Sequence, residues 1–272
     1  MSDGAQPDSA VQAPHGSLGG AAGWLRFAVR APVVLAGTLG IWVLWLVGLP
    51  VALAAGRRGP WRDQIVHLWG RFVVLCLSVR VTRRGEPPAG GFFLVANHLS
   101  YLDIPLLASQ MPTNFVSKAE IAHWPVIGWL AQTVGVVFLR REDKRDLLRV
   151  STEIERELEA GNGVVLFPEG TSSKGEVVLP FRPSLLAPAA RGGLSVSYAA
   201  ISYRTPEGCP PASTAVCWWG GMTFAGHILD LLRLPSIHAT VNFGDAPIRE
   251  ADRKDLAQRL WEAVQARFEP VK

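Results

Sequence analysis

At 272 residues the chain is long enough for one or two domains with a sizeable core, which excludes fibres, disulfide-stapled miniproteins and fully disordered chains. Apolar residues make up 49% and charged residues only 18%, against about 25% charged in an ordinary soluble domain, and ten tryptophans add to that bias toward a membrane surface. The formal net charge of +4 suits anionic lipids and anionic metabolites, but the basic residues form no aromatic-interleaved stripe of the kind that binds nucleic acid.

Residues 1–23 are rich in Gly, Ala, Ser and Pro without periodicity and predict a disordered leader. From Ala31 to Ala55 no charged residue occurs, a run long enough at ~1.5 Å per residue to cross a ~30 Å hydrocarbon layer. Arg26 and Arg30 precede it, Arg57, Arg58 and Arg62 follow it, and no acidic residue stands between Asp8 and Asp63. Both ends are therefore expected at an anionic, cytoplasmic face of the inner (plasma) membrane. A second apolar stretch, Ile65 to Val79, is joined to the first by the turn cluster Gly56 to Pro60. Pro32, Pro50 and three internal glycines favour a bent or re-entrant first helix. The expectation for 24–81 is a membrane-associated helical hairpin dipping into one leaflet. Its alternatives are a single full span and a cleaved signal peptide ending near Ala52-Leu53-Ala54, although the run exceeds the usual ~7 to 15 apolar residues of a signal.

After Arg83-Arg84-Gly85 short apolar runs alternate with helical periods, which predicts an α/β domain over 82–272. The expected strands are 78–81, 91–96, 114–117, 134–139, 163–167, 195–203, 215–218 and 237–243. Amphipathic surface helices are expected over 143–160, ended by Gly161-Asn162-Gly163, and over 252–268, where Leu256, Leu260, Val264 and Phe268 recur at four-residue steps. Cys76, Cys209 and Cys217 have no CxxC spacing and read as small apolar residues of a reducing compartment, with neither disulfide nor metal site.

Three segments at strand ends carry potential chemistry, because α/β sheets present their ligands there. In Asn97-His98-Leu99-Ser100-Tyr101-Leu102-Asp103, five residues of ideal helix would turn Asp103 about 140° away from His98. Pro105 is tolerated only in a first helical turn, so the helix should start near Asp103 and leave His98 on the preceding loop. The two can then meet, and a carboxylate on one imidazole nitrogen makes the other a general base. On spacing alone the plainer reading, Asp103 as a helix cap and His98 as an ordinary loop histidine, is favoured. No GxSxG elbow is present to supply a nucleophile, so the pair suits an already activated substrate such as a thioester. In Val165 to Gly175 an apolar strand runs into a Gly, Ser and Thr loop able to cradle an anion, with Lys174 and Arg182 nearby. Glu169 is awkward there for phosphate unless it orients a base. Gly135 to Arg141 is a strand ending in two arginines, a plausible phosphate clamp or a solvated pair.

Together NHLSYLD, GVVFLRR and FPEGTS, with VSKAEIAHWPVIGWL between the first two, resemble the blocks of the glycerophospholipid acyltransferase family, the lysophosphatidate acyltransferases in particular, over about residues 82–245. The resemblance implies that family's sheet with flanking helices. It implies a fatty acyl transfer from acyl-CoA or acyl-ACP to a lysolipid, most directly 1-acyl-sn-glycerol-3-phosphate, with no bound cofactor. It makes His98 the base and Asp103 its orienting partner, with Arg141, Glu169, Gly170 and Thr171 lining the head-group site. Ser172 stands where many members have Arg, Phe181-Arg182-Pro183-Ser184 replaces Phe-Lys-x-Gly, and no Val-Pro-x-x-Pro block is evident around Val196 to Ile201. FPEGTSSKG with Trp219-Gly220-Gly221-Met222 looks more like the bacterial branch that includes lyso-ornithine lipid acyltransferases, which makes lyso-ornithine lipid the alternative acceptor. A non-catalytic membrane-bound lipid-binding protein is the rival of another class, and it would not require the His98 and Asp103 pair.

Overall fold

The computed structural model describes residues 18–140 and 144–272; Arg141, expected at the head-group site, lies outside the described residues, as does the leader over 1–17. Leu18 is buried in the core, and the first helix, α1 (Ala21–Ala54), begins inside the expected leader. It continues through Pro32 and Pro50 as one helix of 34 residues. The turn at Gly56 (φ 66°) leads into α2 (Arg58–Cys76). The two helices pack antiparallel: Gly48 receives the Trp61 ring, Thr38 Oγ1 accepts from Trp69 Nε1 at 3.2 Å, and Gly37 lies under Phe72. Small residues on α1 thus seat large aromatics from α2.

The face of α1 that meets protein runs through Phe27, Arg30, Val34, Gly37, Ile41, Trp45, Gly48 and Ala52, while the opposite face is bare and equally apolar. Only 6% of its most apolar stretch is buried against protein. A helix apolar all round needs either a large core or lipid, and the protein covers one side only. Arg26 and Arg30 depart from the expectation that they face anionic lipid. Arg26 Nε donates to Arg233 O at 2.8 Å, and Arg30 reaches the carbonyls of Leu232, Leu234 and Pro235 and Ser78 Oγ. The last carbonyls of a helix lack intrahelical donors, and these guanidiniums satisfy them.

Among the described residues the sheet has seven strands: β1 (Val79–Arg84), β2 (Phe93–Ala96), β3 (Asn114–Lys118), β4 (Val137–Leu139), β5 (Val164–Leu166), β6 (Val196–Arg204) and β7 (Ile237–Phe243). Their order is β1-β7-β6-β2-β5-β3-β4, parallel throughout except for the antiparallel β6–β7 pair. β2 and β5 are wholly buried, as central parallel strands covered on both faces must be. The remaining helices are α3 (Asp103–Gln110), α4 (Ile127–Val134), α5 (Lys144–Glu159), α6 (Pro183–Arg191), α7 (Ala212–Ala215), α8 (Phe224–Arg233) and α9 (Arg253–Gln265), with a 3₁₀ turn at Ala119–His123. One flanking group joins α1, α2, α3 and α8, and the other joins α5, α6 and α9.

The hairpin is fastened to the α/β part through α2. Its Gly70 abuts the α3 backbone at Pro105 and Ser109, and buried Arg62 makes a bidentate pair with Glu157 of α5 (2.7 and 2.8 Å) while Nε donates to Asp63. The expected strand at 215–218 is absent. Val216 and Cys217 are buried apolar residues, but their N–H groups close helical turns onto Ala212 O, and Trp218 N–H donates to Leu99 O. A four-residue apolar run cannot be told from buried helix or loop by composition. α4 also takes the start of the expected 134–139 strand and stops at Gly135, which adopts the left-handed conformation that ends helices.

Candidate active site

β2 lies at the middle of the sheet, between β6 and β5, and its C-terminal end opens the site. Asn97 continues the ladder with its side chain: Nδ2 donates to Ile201 O at 2.9 Å, and Oδ1 accepts from Ile201 N–H at 2.7 Å. The backbone can therefore leave the sheet at His98 while staying registered on β6. α3 begins at Asp103, and His98 sits on the loop before it. Asp103 Oδ2 accepts from His98 Nδ1 (2.7 Å), Leu99 N–H (2.7 Å) and Ser100 N–H (3.0 Å), while Oδ1 accepts from Tyr203 Oη (2.7 Å). Four donors converge on a carboxylate that is 0% exposed, whereas the His98 side chain is 21% exposed. With a proton held on Nδ1 by the carboxylate, Nε2 carries the lone pair. Phe167 stacks on the imidazole at 4.2 Å and 18° and limits its rotation.

β5 delivers the second loop beside the first. Glu169 turns inward: Oε1 accepts from His98 N–H at 3.2 Å, and Oε2 is buried without a hydrogen-bond partner among the described residues. Only 3% of the residue is exposed. Burial pushes its carboxyl up to about 9, with the Asp103 charge adding to the shift and the N–H groups of His98 and Leu179 opposing it. At neutral pH Glu169 is a neutral group that holds the His98 loop from behind. Gly170 is buried next to it and Thr171 is exposed. Ser173 N–H donates to His98 O at 3.1 Å, Ser172 Oγ donates to Trp218 O, and Arg182 Nε donates to Glu169 O at 3.2 Å. Lys174 pairs with Glu176 at 2.7 Å. Among the described residues no group of three or more His, Cys, Asp or Glu side chains could hold a metal ion.

A third wall is aromatic. Tyr101, from the His98 loop, packs edge-on against Trp218 and Phe224, and Trp124 contacts the same two rings, all with centroids 5.1–6.1 Å apart. Tyr101 Oη also bonds His227 Nδ1 at 2.8 Å. Sequence reasoning missed Tyr203 as a partner of Asp103. The available signal was a tyrosine near the end of a largely apolar strand, since a buried phenol needs an acceptor.

A buried carboxylate bonded to a partly exposed imidazole at the end of the central strand is the arrangement of an acid–base site. The chain belongs to the acyltransferase family, whose model matches residues 78–202. It is 35% identical over 249 residues to the lyso-ornithine lipid O-acyltransferase of Rhodobacter capsulatus, covering 89% of this chain and 88% of that one. It is 31% identical over 207 residues to the 1-acyl-sn-glycerol-3-phosphate acyltransferase of Neisseria meningitidis, covering 75% and 81%. The crystal structure of the 1-acyl-sn-glycerophosphate acyltransferase PlsC from Thermotoga maritima shares the fold, with a TM-score of 0.56 at 21% identity over 88% of this chain and 95% of that one. The protein is an O-acyltransferase.

Proposed function

We propose that the protein completes a lysolipid at the cytoplasmic membrane surface, with lyso-ornithine lipid as acceptor and an acyl-CoA or acyl-ACP thioester as donor. The observation that carries the chemistry is the 2.7 Å contact between His98 Nδ1 and fully buried Asp103. In this reading the acceptor hydroxyl gives its proton to His98 Nε2 as its oxygen attacks the thioester carbonyl carbon. The tetrahedral oxyanion collapses, the C–S bond breaks, and the leaving thiolate takes the proton back from the imidazolium. The products are an ester and a free thiol, with His98 returned to its starting state. Asp103 stabilises the transient imidazolium and holds the tautomer, and Phe167 and Glu169 position the ring and its loop.

Acceptor choice rests on charge. A phosphate monoester needs two positive charges to leave water cheaply, whereas the ornithine head group is a carboxylate with its own ammonium. At the position where Arg is common, Ser172 spends its hydroxyl on the Trp218 carbonyl, and Lys174 is engaged by Glu176. The near full-length match to the Rhodobacter enzyme supports the same assignment. The second reading, 1-acyl-sn-glycerol-3-phosphate giving phosphatidic acid, is favoured by exposed Arg182, held on the Glu169 carbonyl, and by the Neisseria relative. The bare face of α1 and the exposed Arg57 and Arg58 at its turn hold the site at an anionic bilayer.

The deciding experiment offers the detergent-purified protein acyl-CoA and acyl-ACP with each lysolipid, with His98→Ala as control. Transfer to lyso-ornithine lipid alone, lost in the variant, is the expected result. Transfer to lysophosphatidate alone selects the second reading, and turnover retained by His98→Ala removes its role as base.

A further inference from the structure

The segment from the 3₁₀ turn through α4 takes no part in the chemistry above, yet it is built unlike a surface loop. No Asp, Glu, Lys or Arg occurs between Glu120 and Arg140. Val126, Ile127 and Trp129 stand 54%, 41% and 52% exposed, three large apolar side chains within four residues. Val126 has φ 64°, a left-handed conformation that is unfavourable for a β-branched side chain and is kept only where surroundings or function require it.

This apolar tip is joined to the bare face of α1. The Trp129 and Trp42 rings lie 4.6 Å apart, and Trp42 Nε1 donates to Thr133 Oγ1 at 2.9 Å. Trp42 is followed on α1 by exposed Val43, Leu44, Leu46 and Val47, so the two surfaces are continuous. At the other end of α4, a Cβ on Gly135 would stand 3.7 Å from Arg58 Nη2, which places an exposed cation beside the patch where anionic head groups would lie. On its inner side the same segment supplies Trp124 to the aromatic wall shared with Tyr101 of the His98 loop.

We propose that α4 is a second membrane-inserting element, with Val126, Ile127 and Trp129 entering the boundary between head groups and acyl chains beside α1. The inference rests on the reading of α1 as membrane-bound. It adds that the catalytic part itself enters the lipid, so that a lysolipid reaches His98 past Trp124 without crossing water. An indole at the interface and a valine at a strained tip suit that position.

The test uses full-length protein lacking Cys76 and Cys209 (Cys76→Ser, Cys209→Ser), labelled with an environment-sensitive fluorophore after Ile127→Cys, Val47→Cys or Leu148→Cys. Each protein is checked for acyl transfer and reconstituted in phosphatidylcholine–phosphatidylglycerol vesicles with and without brominated chains. Quenching at 47 and 127 but not at exposed Leu148 of α5 is the expected result. Quenching at 47 alone overturns the inference and leaves α1 on the membrane. Absence of quenching at 47 overturns both. Emission at 127 that ignores brominated lipid but shifts blue with protein density assigns the patch to a second copy and also overturns it. As a second readout, Trp129→Gln should raise KM for vesicle-borne lysolipid about tenfold while leaving kcat unchanged, and equal KM values count against insertion.

Discussion

Tyr203 Oη donates a 2.7 Å hydrogen bond to Asp103 Oδ1 from 100 residues further along the chain. Tyr203 lies on β6, on which Asn97 also closes its side-chain bonds, so β6 fixes both ends of the His98 loop. Burial, with the Asp103 charge adding to it, pushes the Tyr203 phenol well above its ordinary range, so it stays a donor at any working pH.

Tyr203→Phe keeps the volume and removes one of four donors. A hydrogen bond to a charged group is worth about 1.5–3 kcal/mol, so stability should fall by that order. The expected kinetic effect is a lower kcat with unchanged KM for donor and acceptor, read from steady-state kinetics alongside denaturant unfolding. Lost stability at constant kcat would restrict Tyr203 to holding the fold.

The buried Glu169 carboxyl sets a pH dependence of stability. Its ordinary value is 4.5 and the fold raises it to about 9, so between these the native state holds a proton that the unfolded chain has released. Its contribution is fully present below about pH 4.5 and is lost as pH rises toward about 9. Glu169→Gln keeps an acceptor for His98 N–H and should be active at neutral pH. Denaturant midpoints at pH 5, 7 and 9 should fall less steeply in the variant, and equal slopes would show that Glu169 is already ionised in the fold.

Arg62→Ala should loosen the hairpin from the sheet. It leaves Glu157 and buried Asp63 without their cation, a loss of about 3–5 kcal/mol for a broken buried pair. Adding Glu157→Gln should recover part of it. Thermal unfolding in detergent measures both, and additive losses would deny the coupling.

Ser172→Arg places a guanidinium in the loop after β5 and removes the bond to Trp218 O. The ratio of kcat/KM for lysophosphatidate over lyso-ornithine lipid should rise by about tenfold or more, since charge-assisted contacts to phosphate are worth ~1.5–3 kcal/mol. A ratio that stays constant would place head-group selection elsewhere.

Elements with a local cause were legible in the sequence. Pro105 dates the start of α3, and the uniform burial of β2 and β5 follows from their apolar runs. The pairing of His98 with Asp103 needed only five residues of chain and one turn. What depended on distant partners was not legible. Arg26 and Arg30 have the composition of a basic membrane flank, and only the position of α8 shows that carbonyls claim them first. Tyr203 likewise has no local pattern, and Glu169 becomes a buried neutral group only because two loops close over it. At 215–218 the apolar run was real, but the chain closed its N–H groups locally.

The arginine bonds from α1 to the end of α8 join residues 202 to 207 positions apart. At about 5–20 residues per second, the ribosome needs roughly 10–40 s to make that interval. α1 is thus complete, and able to pack on α2, well before its carbonyl partners exist. α2 follows directly and is the first partner of α1, so assembly ends with the finished α/β unit closing onto a hairpin already paired. Delayed synthesis of the C-terminal third would lengthen the time for which Arg26 and Arg30 stand without those carbonyls.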